Sequence, residues 1–151
     1  MILFPLSCLP LPEASASGEG KGKKEERAYA HQLICQPNSH TYVAEVGHEI
    51  AGTYALRPNR AGGGSHVSNA SFMVAPSDQR RGIGREMAQH CLDAARRLGF
   101  KAMQFNFVIS TNEHAVRLWR QLGFEIVGTL PGAFQHPAKG LVDVYVMFRD
   151  L

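Results

Sequence analysis

The chain has 151 residues, a length that suits one domain with a true hydrophobic core. With 44% hydrophobic and 19% charged residues its composition is that of an ordinary globular protein, and no apolar run approaches the ~20 residues that span a bilayer. The formal charge of +3 suits an anionic small ligand but is too weak and dispersed to argue for nucleic acid.

Met1 to Leu11 is apolar, yet it has no basic start and is broken by Pro5 and Pro10, so it reads as neither a signal peptide nor a membrane anchor. Residues 1–39 read as a poorly structured or atypical front. Pro10 to Lys24 has the Pro, Gly, Ser, Lys and Glu content of a linker, and Lys23 to Leu33 has the pattern of a short helix. Order is expected from about His40. Thr41 to Val46 and Glu49 to Arg57 read as the arms of a hairpin turning at Gly47-His48. Pro58 to Ser65, with Gly62, Gly63 and Gly64, is a loop. His66 to Ala75 is a longer strand ended by Pro76.

From Gly82 the apolar positions Ile83, Met87, Ala88, Cys91, Ala95 and Leu98 recur at helical steps, and Gly99 suits the residue that ends the helix. Ala102 to Ile109 reads as a central, buried strand. Asn112 is placed to cap a second helix, with Ala115, Leu118, Trp119 and Leu122 on its apolar side and Gly123 at its end. Phe124 to Leu130 and Val142 to Arg149 are two more strands, joined by a loop over 131–141. The order β-β-β-α-β-α-β-β makes an α/β (α+β) mixed sheet with helices packed on it.

The chemistry concentrates at Gln79-Arg80-Arg81-Gly82-Ile83-Gly84-Arg85. A strand, a glycine-rich turn and a helix N-terminus bind phosphate through exposed backbone N–H groups and the positive end of the helix dipole. Arg80, Arg81 and Arg85 add charge. A dinucleotide fold needs a third glycine in a first βα unit, and a triphosphatase loop ends in Gly-Lys-Ser/Thr. Gly84-Arg85-Glu86 meets neither requirement. What remains is a pyrophosphate cradle built from backbone with flanking arginines.

Gln79-x-x-Gly82-x-Gly84 after a strand and a proline resembles the acetyl-CoA motif of the GCN5-related N-acetyltransferases (GNAT). Asn112-x-x-Ala115-x-x-Leu118-Trp119-x-x-x-Gly123-Phe124 is similar to their second segment. The resemblance covers roughly residues 40–151, read as the N-acetyltransferase domain. It implies a splayed mixed sheet with helices on both faces, and an N-terminal strand and helix that this short front lacks or replaces. It implies acetyl-CoA as co-substrate, with no metal. Main-chain groups of Met73 and Val74 would meet the pantetheine arm, as an added strand meets a sheet edge. Arg80, Arg81, Gly82, Ile83, Gly84 and Arg85 would hold the pyrophosphate. Asn112 would contact the pantetheine or adenylate part, a role compatible with a plain helix cap. Homodimers are common in families of this kind; neither nucleic acid nor a membrane is implied.

A narrower likeness, to the yeast proline-analogue acetyltransferases, rests on His66-Val67-Ser68-Asn69-Ala70-Ser71-Phe72-Met73-Val74 and on Gln104-Phe105-Asn106-Phe107-Val108. It implies that Asn69 and Asn106 line the acceptor site. Alternation puts Asn69 on the face of Ser71 and Met73, and Asn106 on the face of Gln104 and Val108. Each asparagine could instead satisfy a bulge or a loop.

Transfer needs a neutral amine, a polarised thioester and a leaving thiolate. About a tenth of an α-amine with pKa near ~8 is neutral at pH 7, whereas a lysine amine near ~10.4 needs far more help. No base is obvious; Asp143, in an apolar strand, is the best contact for an acceptor amine, ahead of Glu45, Glu49 and His66. Many family members use a tyrosine as acid where this chain has Trp119, which either packs on the pantetheine arm or is core. A thiol of pKa ~8.5 leaves tolerably as thiolate. These readings favour direct transfer from acetyl-CoA to a small, amino-acid-like amine. The alternatives are a CoA-binding protein without turnover and an interaction module whose arginines meet acidic surfaces. The three cysteines (Cys8, Cys35, Cys91) and the scattered histidines lack metal-ligand spacing. They point to a reducing compartment, the cytoplasm.

Overall fold

In a computed structural model, which describes residues 1–6 and 38–151, a few turn residues and the alternation of the strands account for most of the architecture. Strand β2 (His40–Val46) turns through Gly47 and His48, both left-handed at φ +59° and +70°, into β3 (Glu49–Pro58). That is the two-residue geometry that matches the twist of a hairpin. Then follow β4 (Val67–Val74), helix α1 (Ile83–Arg97), β5 (Ala102–Ile109), helix α2 (Glu113–Gln121), β6 (Glu125–His136) and β7 (Gly140–Asp150). Gly99 and Gly123, at φ +85° and +84°, end the two helices as their positions predict. Asn112 caps α2, its side-chain oxygen accepting from Ala115 N–H at 3.2 Å.

The front departs from expectation. Ile2–Leu6 is a strand, β1, antiparallel to β2 at the edge of the sheet. A proline is tolerated there because an edge strand has one side free of ladder bonds. The helix pattern at Lys23–Leu33, Cys8 and Cys35 lie outside the described residues.

The seven described strands form one sheet in the order β1-β2-β3-β4-β5-β7-β6. Neighbours are antiparallel except β4 and β5, which run parallel and pair only at Val67↔Ala102 and Ser68↔Met103. Beyond those pairs the two strands diverge, and the sheet is splayed. Tyr54, Leu56, Ala70, Phe72, Met103 and Phe105 turn to one side of the sheet. They pack there with Met87, Cys91, Leu92 and Ala95 of α1 and Trp119 of α2. Among the described residues both helices lie on this side, so helices on both faces are not seen within them.

Two bulges account for the other differences. In β5 the register slips between Phe105 and Val108. The slip turns Asn106 and Phe107 outward, Phe107 to 54% exposure, and returns Val108 to the buried cluster with Phe105. Asn106 therefore shares no face with Val108, and β5 is central without being buried throughout. In β6 the register slips between Leu130 and Phe134, with Gly132 at φ +58°. The strand thus runs on through Pro131 to His136, where a loop was expected.

The hydroxyl of Tyr54 and Nδ1 of His90 lie 2.6 Å apart across the β3–α1 interface. Burial and the charge of Arg97 hold His90 below its ordinary pKa. The folded state therefore binds that proton less readily than the unfolded chain does. Stability is full above the unfolded value of about 6.5 and declines as pH falls below it. Thermal unfolding between pH 7.5 and pH 5 should show this decline, and His90→Gln should flatten it.

Candidate active site

Where β4 and β5 part, a cleft of ≈ 600 Å³ opens between them. One wall is aromatic: Trp119, 9% exposed, packs on Phe105 at 4.5 Å and Phe72 at 5.1 Å between centroids. Gly84 and Asn112 stand at the mouth, and Arg57, Asn69 and Asn106 at the end where the strands still pair.

Alternation decides which backbone groups face this opening. Ala75 N–H bonds to Ala51 C=O, and Val67 C=O accepts from Asn59 N–H, so the odd-numbered residues of β4 turn their peptide groups to β3. His66 C=O, by contrast, accepts from Lys101 N–H on the β5 side. With a period of two, Phe72 and Val74 present their N–H and C=O to the cleft, and Met73 does not. Met73 also leaves its side chain 63% exposed on the face away from the helices. Val74 thus lines the cleft and Met73 does not.

The mouth is the N-terminus of α1. Gly82 is its cap residue, in the left-handed region at φ +85°, and no side chain caps the helix there. Its first amides therefore remain for an anion. A Cβ on Gly84 would meet only Val74 Cγ2, at 3.8 Å, so its bare backbone lies open to the cleft rather than wedged against protein. Arg81 pairs with Asp78 in an exposed contact, and the Arg85 guanidinium donates to Gln121 Oε1. Arg80 is exposed with a left-handed backbone, φ +65°. These arginines rim the mouth without lining the cleft. Ile83 is buried and anchors the turn in the core.

At the inner end the two asparagines do meet, through a residue that the sequence reading passed over. Asn59 Oδ1 accepts from Asn69 Nδ2 at 3.2 Å and from Asn106 Nδ2 at 2.7 Å. Gln104 Nε2 donates to Asn106 Oδ1 at 2.7 Å. Asn69 is 8% exposed and Asn106 is open to solvent. Asp143 is not among them. Its exposed carboxylate accepts from Gly132 N–H at 3.0 Å and so fixes the β6 bulge. Glu45 contacts His48 in the hairpin turn, and His66 Nδ1 lies 3.1 Å from Gly63 C=O. Cys91 is fully buried, and burial pushes its thiol well above the ordinary range, which suits a core residue and not a nucleophile. Among the described residues that line the cleft, Arg57 alone is charged; none is a carboxylate, imidazole, thiol or phenol.

Comparison with known proteins agrees with this geometry. The acetyltransferase (GNAT) family model matches residues 9–124. N-acetyltransferase aca1 of Schizosaccharomyces pombe is 39% identical over 98 residues, 64% of this chain; the match spans about half, 47%, of that relative's length. A GCN5-related N-acetyltransferase from Kribbella flavida is 44% identical, with TM-score 0.77 over 84% of this chain and 77% of that one. The Salmonella typhimurium protein yncA, solved with acetyl-CoA, shares the fold at TM-score 0.68 and 24% identity, over 88% of this chain and 75% of its own.

Proposed function

The chain belongs to the GNAT family of acetyltransferases, and from that premise we propose that it moves the acetyl group of acetyl-CoA to the amine of a small, amino-acid-like acceptor. The observation that carries this reading is the cleft between β4 and β5, with an uncapped helix N-terminus at one end and an amide cluster at the other. The amides of the first turn of α1 hold the pyrophosphate, flanked by Arg80, Arg81 and Arg85. Peptide groups of Phe72 and Val74 pair with the pantetheine arm, and Val74 N–H donates to the thioester oxygen. Asn112 caps α2 and borders the same arm. The donor supplies an activated acyl group; the chain supplies position and hydrogen bonds. With no thiol among the described residues that line the cleft, the amine attacks the thioester directly while both substrates are bound.

The absence of a titrating side chain from the described lining has a kinetic consequence. The acceptor must lose its own proton to water, so kcat/KM should rise about tenfold per pH unit up to the acceptor's amine pKa, near ~8 for an α-amine. With two acceptors of different amine pKa, the break in the profile should move with the acceptor. A break that stays in place would mean that the protein supplies a base.

The same lining favours a second reading, CoA binding without turnover. Thiol release from acetyl-CoA across a panel of amines separates the two. Release with an amino-acid-like amine supports the enzyme, and saturable CoA binding with no release by any amine selects the second reading.

A further inference from the structure

Gly52 stands where no side chain fits. It is buried in β3, opposite Val74 in the β3–β4 register. A Cβ on it would lie 2.8 Å from the Met73 carbonyl oxygen, and 2.9 Å and 3.0 Å from Cε and Sδ of Met87. Among the described glycines, no other would bring a Cβ so close to main chain. An ordinary C–H···O contact runs at about 3.3–3.6 Å, so a methyl group there would sit roughly 0.5 Å too near the oxygen. The two neighbours would yield differently. Cε and Sδ are the far end of an unbranched, flexible side chain. The Met73 oxygen is main chain in the middle of the β3–β4 ladder, and it moves only with its peptide plane.

That plane is the one on which the chemistry turns. Met73 C=O and Val74 N–H belong to a single planar trans peptide, so they point opposite ways and move together. The parity of β4 turns the C=O to β3 and the N–H to the cleft. One residue on, Ala75 N–H donates to Ala51 C=O at 2.8 Å and ties the end of β4 to β3 beside Gly52. Helix α1 closes on the same spot. Met87, fully buried, lies about one turn past Gly84, whose own Cβ would meet Val74 Cγ2. Gly52 itself does not line the cleft. It is the surface against which the Val74 amide is set from behind.

We propose that Gly52 is a positioning residue for acetyl transfer: by carrying no side chain it lets the Met73–Val74 peptide lie close against β3, with its N–H aimed at the thioester oxygen. The inference rests on the acetyl-transfer reading and adds a residue outside the cleft that acts through the peptide it supports. Negative charge grows on the thioester oxygen as the amine adds, so a donor fixed in place is worth more in the transition state than in the bound ground state. Tilting that donor should therefore cost rate rather than affinity.

The test is Gly52→Ala, read by infrared difference spectroscopy of acetyl-CoA isotope-labelled at the carbonyl carbon. A hydrogen bond to the thioester oxygen lowers its C=O stretch, and the measurement needs no acceptor. The band should lie below that of free acetyl-CoA in the parent and move back toward it in Gly52→Ala. With an amine that gives thiol release, kcat should fall by about 10- to 10²-fold while the KM for acetyl-CoA stays within a few-fold. Gly128→Ala, in β6, is the control: its Cβ would meet Val146 at 3.7 Å, and neither band nor kcat should change. Gly52→Ala with Met87→Val removes Cε and Sδ, so it should recover part of the lost Tm and none of the kcat. It is read in place of the single variant if that one does not fold. A Tm loss in Gly52→Ala with band and kcat unchanged would make the glycine a packing residue and overturn the proposal. So would recovery of kcat in the double variant, which would assign the effect to α1. A parent band that is not lowered would remove the Val74 contact and the role of Gly52 with it. If acetyl-CoA does not bind at all, the acetyl-transfer reading itself fails and the inference falls with it. A lowered band that Gly52→Ala relaxes, with no release by any amine, keeps the positioning role and selects binding without turnover.

Discussion

Gly84→Glu is expected to abolish acetyl-CoA binding and turnover while leaving the fold at least as stable as before. Gly84 lies in the first turn of α1 and borders the cleft. A Cβ there makes an ordinary contact with Val74 Cγ2, at 3.8 Å, so the backbone need not move. Glutamate is a better helix former than glycine, and a negative charge in the first turn is worth about 0.3–1 kcal/mol against the helix dipole. The same carboxylate occupies the place proposed for the pyrophosphate. One unit-charge repulsion at ~4 Å and an effective dielectric of ~20 is about 4 kcal/mol, or on the order of 10³-fold in Kd. Gly84→Ala is the control: it adds the Cβ without the charge and should bind within a few-fold of the parent. Calorimetric titration with CoA and thermal unfolding of both variants check this. If the glutamate variant binds CoA normally, the phosphates are held elsewhere. If both variants unfold early, Gly84 is there for packing.

The turns and caps at the mouth of the cleft were legible because their signals are local. Gly82, Gly84, Gly99, Asn112 and Gly123 each act through the backbone of their own turn, so residue type and spacing suffice. The inner end of the cleft depends on which strand residues face one another, and that is where legibility ends. Arg57 and Asn59 border a loop of about eight residues, and nothing in such a loop states that Arg57 will lie opposite Asn69. Asn59, following Pro58, reads as loop punctuation, yet it holds two strands together through one amide oxygen. The β5 bulge adds one residue and shifts every later side chain to the other face, so alternation counted through Asn106 to Val108 fails. A second bulge bears on Asp143, which lies outside the described cleft lining and accepts from Gly132 N–H at the β6 bulge. Met73 and Val74 differ only in parity, which requires knowing one hydrogen bond to β3.

Trp119→Ala should be the most destabilising single change on the cleft wall, at about 3–5 kcal/mol. The indole touches the Phe72, Phe105 and Phe124 rings, and it carries the packing of α2 onto the sheet. In a domain of this size each kcal/mol lowers Tm by roughly 2–4 °C, so a fall of about 6–20 °C is expected. Trp119→Phe keeps an aromatic wall and should cost only about 1–2 kcal/mol. The pair of variants also bears on the chemistry. Trp119 has no hydroxyl, and a thiol of pKa ~8.5 leaves tolerably without an acid. Trp119→Phe should then hold kcat within a few-fold and leave its pH dependence unchanged, with any loss appearing in the KM for acetyl-CoA. A folded Trp119→Phe protein with kcat down 10²-fold would mean that the indole N–H acts on the reacting atoms, and acid-free departure of the thiolate would have to be abandoned. If the prediction holds, one ring serves as core and as cleft wall. The cleft could then not be widened at Trp119 without loosening α2.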